Sequence, residues 1–282
     1  MERWRSLLFV PGDDERRIAK AGSLGADAVI IDLEDGVAPA SKQVARTFLP
    51  TAAADVGRMG AAVIVRINGG SSDLAADLDA AITPAVQALM VPKTERADSL
   101  RDLSNSVSVL EAERGLEAGT IKLIALIESP AALPHLYDIA AVERVTALAL
   151  GTEDFSLAMG VAPTAAVLDL PCRQVALASA TRTLMAFAVP VSIAAFRDTE
   201  AMRASAATAR AFGASGMLCV HPNQVGIANE IFSPSPAELG EAEALLSAWD
   251  NQGRGEAGVI TFNGKMIDKP VVDRARRLLQ RS

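Results

Sequence analysis

The sequence predicts an α/β protein that folds as a TIM (β/α)8 barrel with a C-terminal helical lid or appendage. Eight apolar runs recur within roughly the first 220 residues, and helix-like segments rich in Ala, Leu, Arg and Glu separate them. Strict alternation of strand and helix eight times is typical of the barrel, and a doubly wound open sheet is the alternative. Polar residues follow several of the runs, and in a barrel all of these would face the same mouth.

The predicted strands are 7–10, 28–33, 63–67, 88–91, 121–127, 145–150, 189–195 and 217–220. Helices are predicted at 14–24, 73–81, 131–141, 173–187 and 199–212, where good helix formers dominate. A proline-marked helix start and then a Gly-rich link follow the eighth run. We therefore predict a barrel-shaped catalytic domain at 1–232 and a C-terminal lid segment at 233–282.

Two carboxylates follow neighbouring predicted strands. Glu128 ends the apolar run of LIALIESP, and Asp154 follows the next apolar run, in GTEDF. A carboxylate at the end of a buried strand is costly unless it binds something, and two hard oxygen ligands without a nearby histidine or cysteine suit Mg2+ rather than Zn2+. The alternative is that both acids cap the helices that follow them.

Charged residues also occur on the second and third predicted strands. Arg66 lies in VIVRING, in a strand otherwise made of Val and Ile, so its guanidinium needs an anionic partner. That partner is either a bound substrate or a structural ion pair inside the barrel mouth. Asp32, Glu34 and Asp35 are three acids within four residues, and we divide them between site residues and supporting or helix-capping groups.

The composition excludes several classes of protein. Half of the residues are hydrophobic and the net charge is −7, which allows a large core and argues against general nucleic-acid binding. No apolar run approaches the roughly 20 residues that span a bilayer, and the N-terminal apolar stretch is too short for a signal peptide. We expect a cytoplasmic protein without a membrane partner. Cys172 and Cys219 lack metal-type spacing, so neither a zinc site nor a disulfide framework is indicated.

Eight short motifs occur in a distinctive order. They are RSLLFVPG, DAVIIDLEDGV, VRIN, LMVPK, ALIESP, GTEDF, HPNQV and GKMIDKP. In this order and spacing the chain resembles the HpcH/HpaI aldolase and citrate lyase beta subunit family, and its motifs are most similar to those of citramalyl-CoA lyase and malyl-CoA lyase. The resemblance covers nearly the whole chain. It implies a TIM barrel assembled as a homotrimer or homohexamer.

The resemblance also implies roles for individual residues. Glu128 and Asp154 match the Mg2+ ligands of the family, and Arg66 matches its substrate-binding arginine. Asp268 matches an acid that the C-terminal lid brings over the barrel of a neighbouring subunit, and Asp35 matches a carboxylate near the waters of the metal. We count Arg66, Asp268 and Asp35 as the predicted catalytic residues.

The predicted substrate-binding and coenzyme A-binding residues are Arg66, Arg5, Lys20 and Glu34. Arg5 and Lys20 match positions that bind the coenzyme A phosphates in the family. The chain departs from the family pattern at Pro190 and Ala195 in the predicted seventh strand, where acids are expected, and at Met217, which replaces a common lysine. These departures concern the specificity for the acyl or keto-acid group.

The resemblance implies a Mg2+-dependent carbon–carbon lyase. Its substrate would be a β-hydroxyacyl-CoA such as malyl-CoA or citramalyl-CoA, and its products an acyl-CoA and a 2-keto acid. The alternatives are a citrate lyase beta subunit that acts with a carrier-protein partner, a malyl-CoA thioesterase, and a barrel without catalytic activity. The retained tail favours free CoA thioesters over a carrier protein.

Overall fold

The computed structural model describes residues 3–69, 72–253 and 258–280. Eight strands form one parallel sheet in the order β7-β6-β5-β4-β3-β2-β1-β8, and a bridge from Phe187 to Gly216 joins its two edges beside β8. Helices surround the sheet, so the predicted TIM barrel is confirmed and the open sheet is excluded. The eight strands are β1 Ser6–Pro11, β2 Ala28–Asp32, β3 Ala62–Arg66, β4 Ala88–Val91, β5 Lys122–Ile127, β6 Val145–Leu150, β7 Met185–Phe187 and β8 Met217–Cys219.

The α-helices of the barrel unit lie between and after these strands. They are α1 Glu15–Ala21, α2 Lys42–Arg58, α3 Leu74–Ala81, α4 Ala97–Glu113, α5 Leu136–Ala140, α6 Thr152–Ala158, α7 Ala165–Ala180, α8 Thr199–Ala211 and α9 Pro222–Phe232. Short 3-10 helices at Pro39–Ser41 and Pro130–His135 precede α2 and α5. The side chain of Asp14 accepts a hydrogen bond from the Arg17 amide and so caps the start of α1.

Each strand has two buried faces, which explains the continuous apolar runs. One set of side chains, which includes Leu7, Ile30, Ile64 and Leu126, fills the barrel interior. The alternate residues form a larger cluster with the apolar faces of the helices. Both clusters consist of hydrophobic side chains, whereas the charged residues Asp32, Arg66 and Glu128 lie at or just past the ends of strands.

The prediction of the seventh strand at residues 189–195 is wrong. Residues 189–195 form part of the loop after β7, and the strand itself is Met185–Phe187, within the segment predicted as helix 173–187. Helix α7 ends at Ala180, and a turn with Thr183 at a positive φ of 59° leads into the strand. Three residues are too few for a periodic pattern, and pairing with β6 defines the strand. Pro190 and Ala195 therefore lie in a loop, and Met217 is the buried first residue of β8.

The chain divides into two compact units, Met1–Phe232 and Ser233–Ser282. The second unit contains helix α10 Pro236–Gly253, an antiparallel hairpin of β9 Val259–Phe262 and β10 Lys265–Asp268, and helix α11 Lys269–Leu279. Its own small core includes Leu245, Ile260 and Val272. In the part of the chain that the structure describes, no helix is both long and apolar enough to cross a membrane.

Candidate active site

A cavity of about 740 Å3 opens at the carboxyl ends of the barrel strands. In barrels of this kind the loops after the strands build the functional site at this face. The cavity has an apolar floor and wall, which include Phe9, Leu126, Leu150 and Leu218. Its charged lining residues are Arg17, Lys20, Asp32, Asp35, Arg66, Glu128, Glu153 and Asp154.

Glu128 and Asp154 both line this cavity, as the sequence predicts. Glu128 directly follows β5, and Asp154 lies in the first turn of α6, just after β6. Glu128 Oε2 accepts a hydrogen bond of 2.6 Å from the backbone amide of Lys93. Among the described residues no hydrogen bond reaches Glu128 Oε1 or the Asp154 carboxylate, so oxygens of both groups are available to a ligand in the cavity.

Glu128 is buried, with only 5% of the residue exposed. Burial raises its pKa to about 7, and the negative charges of Glu34 and Asp154 add to the shift, while the Lys93 amide and Arg66 oppose it. A nearby cation stabilises the charged form of a buried carboxyl group whose pKa is raised. The position of Glu128 therefore suits a bound cation. No group of three or more His, Cys, Asp or Glu side chains suited to a metal ion occurs in the described residues, so a metal here would need further ligands from water or substrate.

Arg66 points into the same cavity and is held by two acids. Arg66 and Asp32 are direct partners on β3 and β2, and the guanidinium makes a bidentate pair with the Asp32 carboxylate at 2.7 and 2.6 Å. Arg66 Nη1 lies 3.0 Å from Glu34 Oε2, and the guanidinium also packs over the Phe9 ring. Burial alone would lower the pKa of Arg66. The hydrogen bonds and the charge of Asp32 outweigh this effect, so the pKa of Arg66 is raised above its usual value.

Asp32 at the end of β2 and Glu34 just after it thus both have partners within the protein. Asp32 accepts bonds from the Glu34 and Gly36 amides in addition to those from Arg66. Glu34 is 5% exposed and does not line the cavity, because Arg66 and Lys93 enclose its carboxylate. The structure therefore does not support direct substrate binding by Glu34. Asp35 is exposed and lines the cavity, with its carboxylate 3.5 Å from Lys93 Nζ.

Lys93 is a site residue that the sequence analysis did not select. It follows β4 and has a positive φ of 50°, which is uncommon for a residue other than glycine. Its backbone amide binds Glu128 and its ammonium group binds Glu34 Oε1 at 2.6 Å. The hydrogen bond to Glu34 is the main reason that the pKa of Lys93 is raised. The motif LMVPK gave its position, but the sequence contains no signal for the left-handed backbone.

The coenzyme A-binding predictions have different outcomes. Lys20 lies on α1 and is exposed at the edge of the cavity, next to Arg17 one turn away. Arg5 precedes β1 and therefore lies at the amino-terminal end of the barrel, opposite the cavity. There its guanidinium and its amide bind the Asp27 carboxylate at 2.6 to 2.8 Å. The prediction that Arg5 contacts coenzyme A in this cavity is not supported.

The loop after β7 forms one wall of the cavity through Ile193. Ser192 Oγ donates to Glu153 Oε1 at 2.7 Å, and the Gln224 amide donates to the Ile193 carbonyl at 2.9 Å. These bonds attach the loop to the segments that follow β6 and β8. The loop that carries Pro190 and Ala195 is therefore part of the site, although neither of these two residues lines the cavity.

Asp268 lies in the second unit of the chain. It ends β10 and its side chain accepts a long bond of 3.4 Å from the Val271 amide, which makes it the N-cap of α11. The structure thus gives Asp268 a local structural role. Its predicted catalytic role remains a prediction.

Comparisons with known proteins agree with this geometry. The profile of the HpcH/HpaI aldolase/citrate lyase family matches residues 5–222. Citrate lyase subunit beta of Haemophilus influenzae is 29% identical over 284 residues, which cover 100% of this chain and 98% of that protein. A (3S)-malyl-CoA thioesterase of Cereibacter sphaeroides is 34% identical, with 99% of this chain and 94% of that protein covered.

A solved structure of CitE from Mycobacterium tuberculosis, in complex with magnesium, acetoacetate and coenzyme A, has a TM-score of 0.76 and 29% identity to this chain. The match covers 99% of this chain and 98% of the CitE chain. The profile match, the full-length relatives and the shared fold agree with one another. The chain therefore belongs to the HpcH/HpaI aldolase/citrate lyase family.

Proposed function

We propose that the protein is a Mg2+-dependent lyase that cleaves or forms a β-hydroxyacyl-CoA such as malyl-CoA or citramalyl-CoA, with an acyl-CoA and a 2-keto acid as the other reactants. The observation that carries the proposal is the convergence of Glu128, Asp154 and Arg66 on one cavity from three different strand ends. Two acids with available oxygens and one guanidinium are what a metal-chelated hydroxy acid and its developing enolate need.

The residues present fit Mg2+. Glu128 and Asp154 offer carboxylate oxygens, which hard divalent cations prefer. The pKa of Glu128 is raised chiefly by burial, and the charges of Glu34 and Asp154 add to the shift. When bound, Mg2+ would supply Lewis-acid polarisation of the hydroxyl and carboxylate of the substrate. Magnesium is present in the related CitE complex, which supports the assignment.

The protein groups would act as follows during cleavage. Arg66 would stabilise the enolate oxygen of the leaving acyl thioester, since its guanidinium is fixed by Asp32 and needs no reorganisation. Lys20 and Arg17 at the cavity edge would bind the phosphates of coenzyme A. Asp268 of a neighbouring subunit would protonate the enolate carbon, as the family resemblance implies. Asp35 would bind water molecules near the metal.

Two other activities are named among the relatives. The Haemophilus influenzae citrate lyase subunit beta matches the full chain, so the C-terminal tail does not favour free CoA thioesters over a carrier protein. The malyl-CoA thioesterase has a similar degree of identity. The products distinguish these activities, because a lyase releases a keto acid with an acyl-CoA, whereas a thioesterase releases the hydroxy acid with free CoA.

The proposal is tested by incubating the purified protein with malyl-CoA, citramalyl-CoA and citryl-CoA, with Mg2+ or with EDTA, and separating the products by mass. We expect a keto acid and an acyl-CoA from at least one substrate, only with Mg2+. Turnover that persists in EDTA would contradict the metal assignment. Release of free CoA together with an intact hydroxy acid would show that the protein acts as a thioesterase and not as a lyase.

Arg66→Lys is expected to reduce kcat by about a hundredfold or more, close to the effect of Arg66→Ala. A point charge cannot reproduce the planar fork that binds Asp32 with two bonds and still presents a donor to the cavity. Steady-state kinetics of both variants would measure this. As a matched control, Arg101→Lys changes an exposed arginine on α4 that pairs with Asp98 and does not line the cavity, and it should keep wild-type turnover.

The raised pKa of Glu128 predicts a pH dependence of stability in the metal-free protein. Its folded pKa of about 7 lies above the usual 4.5, so its contribution to stability is fully present below pH 4.5 and is lost as pH rises through 7. The loss amounts to about 3 kcal/mol. Urea unfolding in EDTA at several pH values should show this slope in the wild type and not in Glu128→Gln. An identical pH dependence of the free energy of unfolding in both proteins would contradict the raised pKa of Glu128.

A further inference from the structure

Lys93 connects the proposed metal ligand with the proposed substrate arginine. Its backbone amide donates to Glu128 Oε2 at 2.6 Å, and its ammonium group donates to Glu34 Oε1 at the same distance. The other oxygen of Glu34 lies 3.0 Å from Arg66 Nη1. Lys93 thus bonds directly to Glu128 and reaches Arg66 only through Glu34, and Lys93 itself does not line the cavity.

The backbone of Lys93 has an unusual conformation at this point. With φ at 50° it lies in the left-handed region, which residues with a Cβ atom rarely adopt. In this conformation the amide points at Glu128, and the ammonium group is held by Glu34 and, at 3.5 Å, by Asp35. The acids on the loop after β2 therefore hold the side chain while the amide faces Glu128.

Gly151 limits Glu128 from the other side. A Cβ atom at this position would lie 2.6 Å from Glu128 Cγ and 2.9 Å from Glu128 Oε1. The φ of Gly151 is −84°, which any residue can adopt, so close approach is the reason for glycine here. The Glu128 carboxylate thus has the Lys93 amide at Oε2 and the Gly151 backbone close to Oε1, and no described residue donates a hydrogen bond to Oε1.

We infer that Lys93 is a positioning residue for the proposed metal ligand Glu128, that it acts through its left-handed backbone amide, and that Gly151 is the opposing contact. This inference rests on the proposed function. Groups that hydrogen-bond to a metal ligand orient that ligand, and the loss of such a group typically reduces metal affinity by about 10- to 100-fold. The ammonium group of Lys93 then serves mainly to hold its own backbone in place.

The test compares Lys93→Val with Lys93→Asn. Both remove the ammonium group, but Asn tolerates the left-handed backbone and Val, which is β-branched, does not. Calorimetric titration of the metal-free proteins with Mg2+ alone should show affinity close to wild type for Lys93→Asn and about tenfold weaker or more for Lys93→Val. Raising the Mg2+ concentration should restore much of the activity of Lys93→Val, and thermal unfolding of the metal-free variants should show that both are folded at the assay temperature.

Equal Mg2+ affinities in these two variants, with Mg2+ binding lost in Glu128→Gln, would overturn the inference and leave the proposed function intact. Wild-type Mg2+ affinity in Glu128→Gln would overturn the proposed function itself, and the inference with it. If Lys93→Val does not fold, Lys93→Ala against Lys93→Gly makes the same comparison, since only glycine adopts this φ without cost.

Gly151→Ala provides an independent test of the opposing contact. We expect it to weaken Mg2+ binding by about tenfold or more, because the new methyl group displaces the Glu128 carboxylate. Gly57→Ala is the matched control, since Gly57 lies in α2 and an added Cβ would meet nothing within 4 Å. Equal Mg2+ affinities in the two alanine variants would overturn the role assigned to Gly151.

Discussion

Glu128→Ala and Asp154→Ala are each expected to lower kcat/KM for Mg2+-dependent cleavage by about a thousandfold or more. Each substitution removes one of the two protein carboxylates available to the metal. The charge stabilisation that a metal supplies in the transition state is worth several kcal/mol. A loss of about 4 kcal/mol corresponds to a thousandfold lower rate. The cavity is built from strand ends and loops, where substitutions mainly affect function. The overall fold should therefore persist.

The measurements are steady-state kinetics, Mg2+ titration of the metal-free proteins and thermal unfolding. Asp138→Ala is a matched control, because Asp138 is an exposed carboxylate on α5 outside the cavity. Mg2+ should raise the unfolding temperature of the wild type and of the control, and not that of Glu128→Ala or Asp154→Ala. Wild-type turnover in either site variant would remove that residue from the metal site.

Asp268→Asn is expected to lower kcat by about a hundredfold to ten-thousandfold while binding of the CoA thioester and of Mg2+ persists. An amide keeps the size of the carboxylate but does not transfer the proton to the enolate carbon. Asparagine is also as good an N-cap as aspartate, so α11 should keep its cap and the protein its stability. This separates the proposed acid function from the structural role that the hydrogen bond to Val271 shows.

Proton exchange at the acetyl-CoA methyl group, followed by mass, reports the same step without cleavage. Asp268→Ser is a second variant for the same test, because serine also caps a helix and carries no acid group. Loss of exchange in both variants at unchanged melting temperature supports the catalytic role. Full turnover in Asp268→Asn would eliminate Asp268 as the acid.

A mixture of Asp268→Asn and Arg66→Ala proteins tests whether the acid acts in a neighbouring subunit of the proposed homotrimer or homohexamer. If subunits exchange and the contact is head to tail, random mixing should give about a quarter of the sites an intact barrel and an intact lid acid. Activity should then rise well above that of either variant alone. No recovery despite proven exchange would show that Asp268 acts within its own chain or has no catalytic role.

The sequence by itself determined the barrel and three of the charged residues that line its cavity. Each buried parallel strand is a local apolar run, so the alternation with helices is readable without tertiary information. Glu128 and Asp154 follow such runs and Arg66 interrupts one, and these positions alone predicted that the three side chains share a mouth. The position of Arg5 before the first strand likewise indicates the end of the barrel opposite the cavity.

Only the tertiary structure decided how the charges pair and which backbone conformations they require. The β2–β3 register sets Asp32 beside Arg66, and Glu34 in the loop after β2 lies between Arg66 at the end of β3 and Lys93 after β4. The strand at Met185–Phe187 depends on its pairing with β6, since three residues carry no period. The left-handed backbone of Lys93 likewise arises from bonds to residues 35 and 59 positions away in the chain. These contacts are long-range, and propensity describes only what neighbours in sequence prefer.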